Sequence, residues 1–266
     1  MLHFLEWSRH VVTDLSRPGE PFATDENGRP DPNPQIQREA QDYCRRYGLP
    51  PIDHSKYIHV DQLRAGRIAD AYDAMPLDDS DNPAVAIAYT ALAQEVVQQW
   101  QWAVDHGMVF EPWTGEGEAY AGADDYADAF TPDADIFHRH LYFFTGGEPN
   151  RFMARIDPST NLPVNDMFRA IHDYYGHAAM GADFGPRGEE NAWVSHMQMF
   201  TPLARRALTT ETRGQNSWVN FGRQNYDADG NYRFIPPAKR PYAIQKTGIF
   251  TDTNEWINQL PEEFYQ

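Results

Sequence analysis

One long segment of the chain, residues 83–106, shows a clear helical pattern of apolar residues. These residues recur at spacings of three and four: Val85, Ala88, Tyr89, Leu92, Val96, Trp100 and Ala103. Asn82 and Pro83 suit the N-cap and the first helical position, and Gly107 suits the end of the helix. A helix of this length with one apolar face packs that face against other elements, so the pattern predicts a fold built around a core helix.

The rest of the chain predicts mostly shorter helices. Helical patterns cover residues 35–47, 60–75, 164–176 and 187–200, with a short one at 253–260. Leu141–Phe144 is the candidate for a short buried strand, whereas residues 111–135 are acidic and irregular. We therefore predict a mainly α fold (α+β with a few short strands) in a single compact domain. This domain, residues 1–266, would begin with a largely irregular N-terminal arm, residues 1–34.

The charge of the chain limits its partners. It has 22 Lys and Arg residues against 39 Asp and Glu residues, a net charge of −17. This excess disfavours a broad nucleic-acid-binding surface and an anionic membrane surface. There is no apolar run long enough to span a membrane and no secretory signal at the N-terminus, and the single cysteine, Cys44, excludes an internal disulfide framework. We expect a cytoplasmic protein that acts on a small molecule, in an oligomeric state that the composition leaves open.

Two histidines five residues apart form a candidate metal site. His172 and His177 are followed by carboxylates in the next helical pattern, and imidazole with carboxylate is a common ligand set. On a continuous α-helix, a spacing of five places two side chains about 140° apart. The helix is therefore predicted to end between them, at Gly176, which tolerates a left-handed turn. The alternative is a pair of hydrogen-bonded core histidines beside a helix end.

The same residues resemble the iron-binding motif of a known enzyme family. They read His172-Asp173-Tyr174-Tyr175-Gly176-His177, which is similar to the His-Glu-x-x-Gly-His stretch of the biopterin-dependent aromatic amino acid hydroxylases. The resemblance implies that His172 and His177 bind Fe(II) and that a downstream glutamate completes a facial triad. Glu211, 34 residues after His177, matches that position best. The implied function is O₂-dependent hydroxylation of a small aromatic or anionic substrate, with a pterin cosubstrate for which we identify no binding loop.

The third ligand and the metal have alternatives. Glu190 is the second candidate for the third ligand, because it begins the adjacent predicted helix and could face the histidines. Acids at a helix start are also favoured by the macrodipole, which by itself explains both Glu189 and Glu190. Zn(II) or Mn(II) would accept the same ligands as Fe(II).

Three further residues are candidates for supporting roles. Asp173 could act as an acid–base group or orient a ligand. His196 shares a helical face with Trp193 and Phe200, so it is either a core residue or the partner of a ligand histidine. Arg213 could anchor an anionic group of the substrate or pair with the surplus of acids. The same choice applies to the other arginines near the motif: Arg187, Arg205 and Arg206.

Two other interpretations use the same segment. His172-Asp173 resembles the centre of an HD-type phosphohydrolase, in which a bound metal activates water for attack on phosphorus. The resemblance implies an upstream histidine and a downstream aspartate, and the candidates are His138, His140, Asp227, Asp229 and Asp252. Residues 165–222 also resemble uncharacterised phage-encoded proteins, and in a non-catalytic phage or assembly protein the histidines would be structural.

Overall fold

Helices make up most of the regular structure of the chain. The structure is a computed structural model and describes residues 32–115, 139–147, 149–231, 233, 235 and 241–265. Its α-helices are α1 (Pro34–Tyr47), α2 (Gln62–Ala74), α3 (Pro83–Asp105), α4 (Val164–His172), α5 (Pro186–Met197), α6 (Pro202–Thr209) and α7 (Gln215–Phe221). Strands β1 (Val109–Pro112) and β2 (His140–Phe143) pair in parallel. The prediction of a single, compact, mainly α domain is confirmed.

Two π-helical segments interrupt the regular helices. The first π segment, Asp173–Ala178, continues α4, and the second π segment, Thr210–Gly214, joins α6 to α7. Shorter 3-10 segments follow near the end of the described chain: Arg223–Asn225, Asp252–Asn258 and Glu262–Tyr265. Among the described residues, no helix is both long and apolar enough to cross a membrane.

The long helix α3 lies where the apolar pattern predicts it. Its N-terminus is capped by Asn82, whose side chain accepts the backbone N–H of Ala84 at 3.0 Å. After its C-terminus, Gly107 takes a positive φ of 90°. The apolar face of α3 is buried and packs against α4 and α6. The same face also carries the amide of Gln99, which is fully buried.

Several other boundaries differ from the sequence predictions. α1 and α2 match the patterns at 35–47 and 60–75, and β2 matches the predicted strand closely. The short helix predicted at 253–260 is present as the 3-10 helix Asp252–Asn258. α6 and α7 were not predicted. Most of the predicted N-terminal arm and of the acidic segment lies outside the described residues.

Candidate metal centre

A change of helix type brings the two histidines of the motif together. α4 ends at His172 and continues as the first π segment, where the backbone N–H of Ala179 donates to the carbonyl of Tyr174. Hydrogen bonds of this i→i+5 type place residues five apart on the same side of the helix. The rings of His172 and His177 accordingly lie 5.3 Å apart, centroid to centroid, and nearly perpendicular.

Gly176 has a different role from the one that the sequence predicts. The helix does not end there, because the backbone stays right-handed through Ala179 and the next positive φ, 61°, is at Gly181. A Cβ at Gly176 would lie 3.0 Å from the carbonyl oxygen of Ala192 and 3.3 Å from Cε1 of His172. Glycine therefore allows α5 to pack directly against the first π segment.

A carboxylate from α5 joins the two histidines. His172, His177 and Glu189 each offer one ligand atom, and these atoms all lie within 4.8 Å of one another. Glu189 Oε2 is 3.7 Å from His177 Nε2, and its side chain is 14% exposed, whereas each histidine is about 1% exposed. Within the described part of the chain, this is the one such group of three. Two imidazoles and a carboxylate suit Fe(II), Zn(II) or Mn(II).

His172 offers this group a ring nitrogen that has no protein partner. Its Nε2 is buried and forms no hydrogen bond with the described residues, while its Nδ1 lies 3.0 Å from Nδ1 of His196. Burial, and then the neighbouring His196 and His177, lower the pKa of His172 well below its usual range, so the ring is neutral. A buried polar atom without a partner is costly, and a metal ion would bind the lone pair of this nitrogen.

Two backbone carbonyls fix the ring of His177. Its Nδ1 lies 3.1 Å from the carbonyl oxygens of both Ala182 and Asp183. Because these oxygens only accept, Nδ1 carries a proton and Nε2 faces Glu189. Burial alone would lower the pKa of His177, but the carboxylates of Glu189 and Asp173 outweigh it and raise the pKa. A protonated His177 would pair with Glu189 in the metal-free chain, and a metal ion would displace the proton on Nε2.

Two further carboxyl groups flank this cluster, the buried Asp173 and the partly buried Asp183. Burial raises the pKa of Asp173 well above its usual range, although His177 lies close by. Asp183 accepts the backbone N–H of Gly185 at 2.8 Å, and burial raises its pKa too. Asp173 therefore lies beside the cluster but is outside the set of three ligand atoms.

Glu211, the predicted third ligand, belongs to a different polar cluster. It lies in the second π segment and is outside the group formed with His172 and His177. Four side chains donate hydrogen bonds to its carboxylate: Tyr89 at 2.7 Å, Asn150 at 3.0 Å, Gln245 at 3.1 Å and Gln215 at 3.4 Å. The structure therefore offers Glu189, rather than Glu211, as the third ligand.

The carboxyl group of Glu211 is expected to make stability depend on pH. Burial raises its pKa from 4.5 to about 7, against the opposing hydrogen bonds from Tyr89, Gln245 and Asn150. The folded state holds this proton more tightly than the unfolded state. The contribution of the protonated Glu211 to the free energy of unfolding is therefore fully present below the unfolded-state pKa and is lost as the pH rises through the folded-state pKa. Between pH 4.5 and about 7 the wild type should lose roughly 3 kcal/mol of its free energy of unfolding, and Glu211→Gln should not show this loss. Urea unfolding at several pH values measures the difference. An unchanged pH profile would contradict this, and the exposed Glu262→Gln is the control.

Glu190 and Arg213 pair with each other and do not face the histidines. Arg213 Nε donates to Glu190 Oε2 at 3.0 Å, and Nη2 donates to Oε1. The guanidinium lies 4.0 Å from the centroid of the Trp193 ring, and Nη1 donates to the carbonyls of Ile257 at 2.8 Å and Gln259 at 3.3 Å. The Arg213 side chain is 0% exposed. Glu190 is therefore occupied by Arg213, and of the two roles predicted for Arg213 the pairing with an acid is the one observed. Arg213 also connects α5 to the C-terminal segment.

The other arginines near the motif contact protein groups. Arg205 donates to two backbone carbonyls, and Arg206 pairs with a glutamate. Arg187, two residues before Glu189, lies 4.5 Å over the ring of Tyr57, and its Nε donates to a backbone carbonyl at 3.0 Å. Its guanidinium therefore has further donors for an anionic group.

Among the described residues, the other candidates for an HD-type site do not join the group of three at the motif. His140 is 2.7 Å from a glutamate of β1 and is not part of the group of three, while His138 lies outside the described residues. Asp227 accepts backbone hydrogen bonds within its own turn. Asp229 and Asp252 are exposed. No contact of these residues therefore favours the phosphohydrolase interpretation.

Glu189 and Gln99 are the site residues that the sequence analysis missed. The macrodipole explains an acid in the first turn of α5, so nothing in the sequence separates Glu189 from Glu190. Gln99 did carry a usable signal, because it occupies an apolar-face position of α3, three residues after Val96 and four before Ala103. Its amide lies 2.8 Å from Nε2 of His196.

Comparisons with known proteins add no family to these observations. Models of protein families, curated proteins and solved structures all gave no match. The interpretation of the site therefore depends on its own geometry and on the six-residue motif.

Proposed function

We propose that the chain binds one divalent metal ion through His172, His177 and Glu189 and is a mononuclear non-haem iron enzyme. The observation that carries the proposal is the convergence of three ligand atoms within 4.8 Å, one of them a buried nitrogen without a partner. Two histidines and one carboxylate leave coordination positions open on the other side of an ion. O₂ and a substrate require such positions, so the proposed activity is an O₂-dependent hydroxylation or oxygenation.

The choice of iron is supported by the motif resemblance. Both histidines match the family's iron ligands in order and spacing, although Asp173 replaces a glutamate. The third ligand departs from the family, because Glu189 follows His177 by 12 residues rather than by a few tens. The proposal therefore keeps Fe(II) as the metal and includes no pterin.

The chain's own residues hold and shield the ion. Bound iron would supply the activation of O₂. The carbonyls of Ala182 and Asp183 orient His177, and burial of both histidines keeps bulk water away from their side of the ion. Glu189 is the more exposed ligand, so its side is nearest to solvent. Arg187 precedes Glu189 by two residues in α5, and its guanidinium suits a carboxylate or phosphate group, which is the basis for proposing a small anionic substrate.

Metal uptake by carboxylate variants tests the site. The wild-type chain, prepared anaerobically, is expected to bind one Fe(II) or Co(II) ion. Glu189→Gln should weaken metal binding by about 100-fold or more, because a neutral amide replaces an anionic ligand. This exceeds the effect typical of substituting residues that only hydrogen-bond to metal ligands. Glu211→Gln is the matched control and should bind like the wild type. The reverse result would make Glu211 the ligand, and no uptake by the wild type would overturn the site.

Oxygen consumption tests the reaction. The iron-loaded chain is expected to consume O₂ in a screen of small aromatic and anionic compounds, and Glu189→Gln is expected not to. O₂ uptake that does not depend on Glu189 would contradict the proposal. Hydrolysis of phosphate esters by the metal-loaded chain would instead favour an HD-type phosphohydrolase.

A further inference from the structure

A series of buried hydrogen bonds leads from α3 to Nδ1 of His172. The side-chain amide of Gln99 donates to the carbonyl of Met199 at 3.2 Å. Its oxygen lies 2.8 Å from Nε2 of His196, and Nδ1 of His196 lies 3.0 Å from Nδ1 of His172. All three side chains are at most 1% exposed. We call this series, from Met199 to His172, the relay.

The direction of each hydrogen bond in the relay follows from its first member. The carbonyl of Met199 only accepts, so the amide nitrogen of Gln99 must face it, and the amide oxygen must face His196. The opposite amide orientation would place two acceptor oxygens against each other. Nε2 of His196 therefore carries the proton that Gln99 accepts.

The proton position on His172 then follows. A buried imidazole without a carboxylate partner stays neutral, because an uncompensated buried charge is costly. Neutral His196 has its one proton on Nε2, so its Nδ1 accepts. His172 must donate to it from Nδ1, which leaves the lone pair of His172 on Nε2, the atom that has no partner.

We propose that Gln99 and His196 are positioning residues that fix His172 in the tautomer with a free lone pair on Nε2. The tautomer itself requires no metal, but its consequence for binding rests on the proposed metal site. Gln99 thus has a reason to occupy the buried face of α3, where an apolar residue would otherwise pack. The long core helix and the candidate metal centre are connected through this one amide.

Removing the acceptor at Gln99 tests the relay. In Gln99→Met, Nε2 of His196 loses its acceptor, so the proton of His196 can move to Nδ1 and force the proton of His172 onto Nε2. We expect the ¹⁵N NMR signals of His172 in the metal-free chain to shift toward the Nε2-protonated form. Affinity for Co(II) should fall by about 10–100-fold, the range typical for partners of ligand histidines.

Matched variants separate this effect from a general loss of structure. His196→Leu should act like Gln99→Met, whereas His196→Asn should retain the wild-type tautomer, because its amide oxygen can accept from Nδ1 of His172. Gln198→Met removes another buried glutamine, one that bonds to Val194 and Asp53 outside the relay, and should change neither readout. Circular dichroism checks that each variant is folded.

The possible results distinguish the relay from the metal site. If Gln99→Met and His196→Leu both leave Nε2 of His172 unprotonated, the relay is wrong, whatever the chain binds. A tautomer that shifts as expected in a chain that binds no Co(II) would keep the relay and overturn the proposed function. A tautomer shift without any change in Co(II) affinity would refute the positioning role.

Discussion

The double substitution His172→Ala/His177→Ala is expected to abolish stoichiometric metal binding. It removes two of the three atoms that converge within 4.8 Å and leaves only the carboxylate of Glu189. A single carboxylate holds a divalent ion weakly, since it cannot replace the lost imidazoles. Elemental analysis of protein purified without a histidine tag, after anaerobic loading with Fe(II), gives the metal content directly.

Controls are needed because both rings are buried and their removal leaves cavities. The single variant His172→Asn keeps much of the volume and should also lose the metal in a chain that retains its fold. Substituting His106 and His140 together removes two histidines outside the cluster and should leave the metal content unchanged. Full metal content in the His172→Ala/His177→Ala chain would place the ion elsewhere and refute the proposed centre.

Arg213→Met is expected to destabilise the fold by about 3–5 kcal/mol, the range for removing one partner of a buried ion pair. The substitution leaves the carboxylate of Glu190 buried without its cation and leaves the carbonyls of Ile257 and Gln259 without their donor. It also removes the guanidinium from the face of Trp193. Urea unfolding followed by circular dichroism measures the change in free energy.

A double-mutant cycle makes this prediction specific. Adding Glu190→Gln to Arg213→Met should cost less than the sum of the single changes, because the buried charge is then absent in both partners. Arg206→Met, which removes a partly exposed pair with Glu255, should cost at most about 1 kcal/mol. Additive effects for Glu190 and Arg213 would contradict a coupled pair.

The sequence predicted the elements whose signals are local. Asn82, Pro83 and Gly107 bound α3 through capping and a left-handed turn, and the apolar spacing between them identifies the buried face. By contrast, no residue preference identifies a π turn in a sequence. The helix through His172 and His177 was therefore wrongly predicted to end at Gly176. The two rings do lie close together, but a π-helical turn brings them together rather than a helix end.

The third carboxylate could not be chosen from the sequence, because the choice depends on tertiary contacts. Glu189 and Glu190 are adjacent, yet only one of them faces the histidines, since Arg213 from a distant segment holds the other. Glu211 resembles a ligand by its distance along the chain, but Tyr89 on α3 and three amides surround its carboxylate. Such pairings appear only when α3, α5 and the second π segment pack together.

The first π segment would couple helix register to metal binding at the proposed centre. Reverting it to a regular α-helix would shift the register by one residue and rotate His177 by about 100° relative to His172. An ion held by both imidazoles would bind only the π-helical form of this segment, so it would stabilise that form by mass action. Metal concentration would thus set the balance between the α-helical and the π-helical register. The free energy needed to hold the π-helical register would lower the apparent affinity for the metal below the intrinsic one.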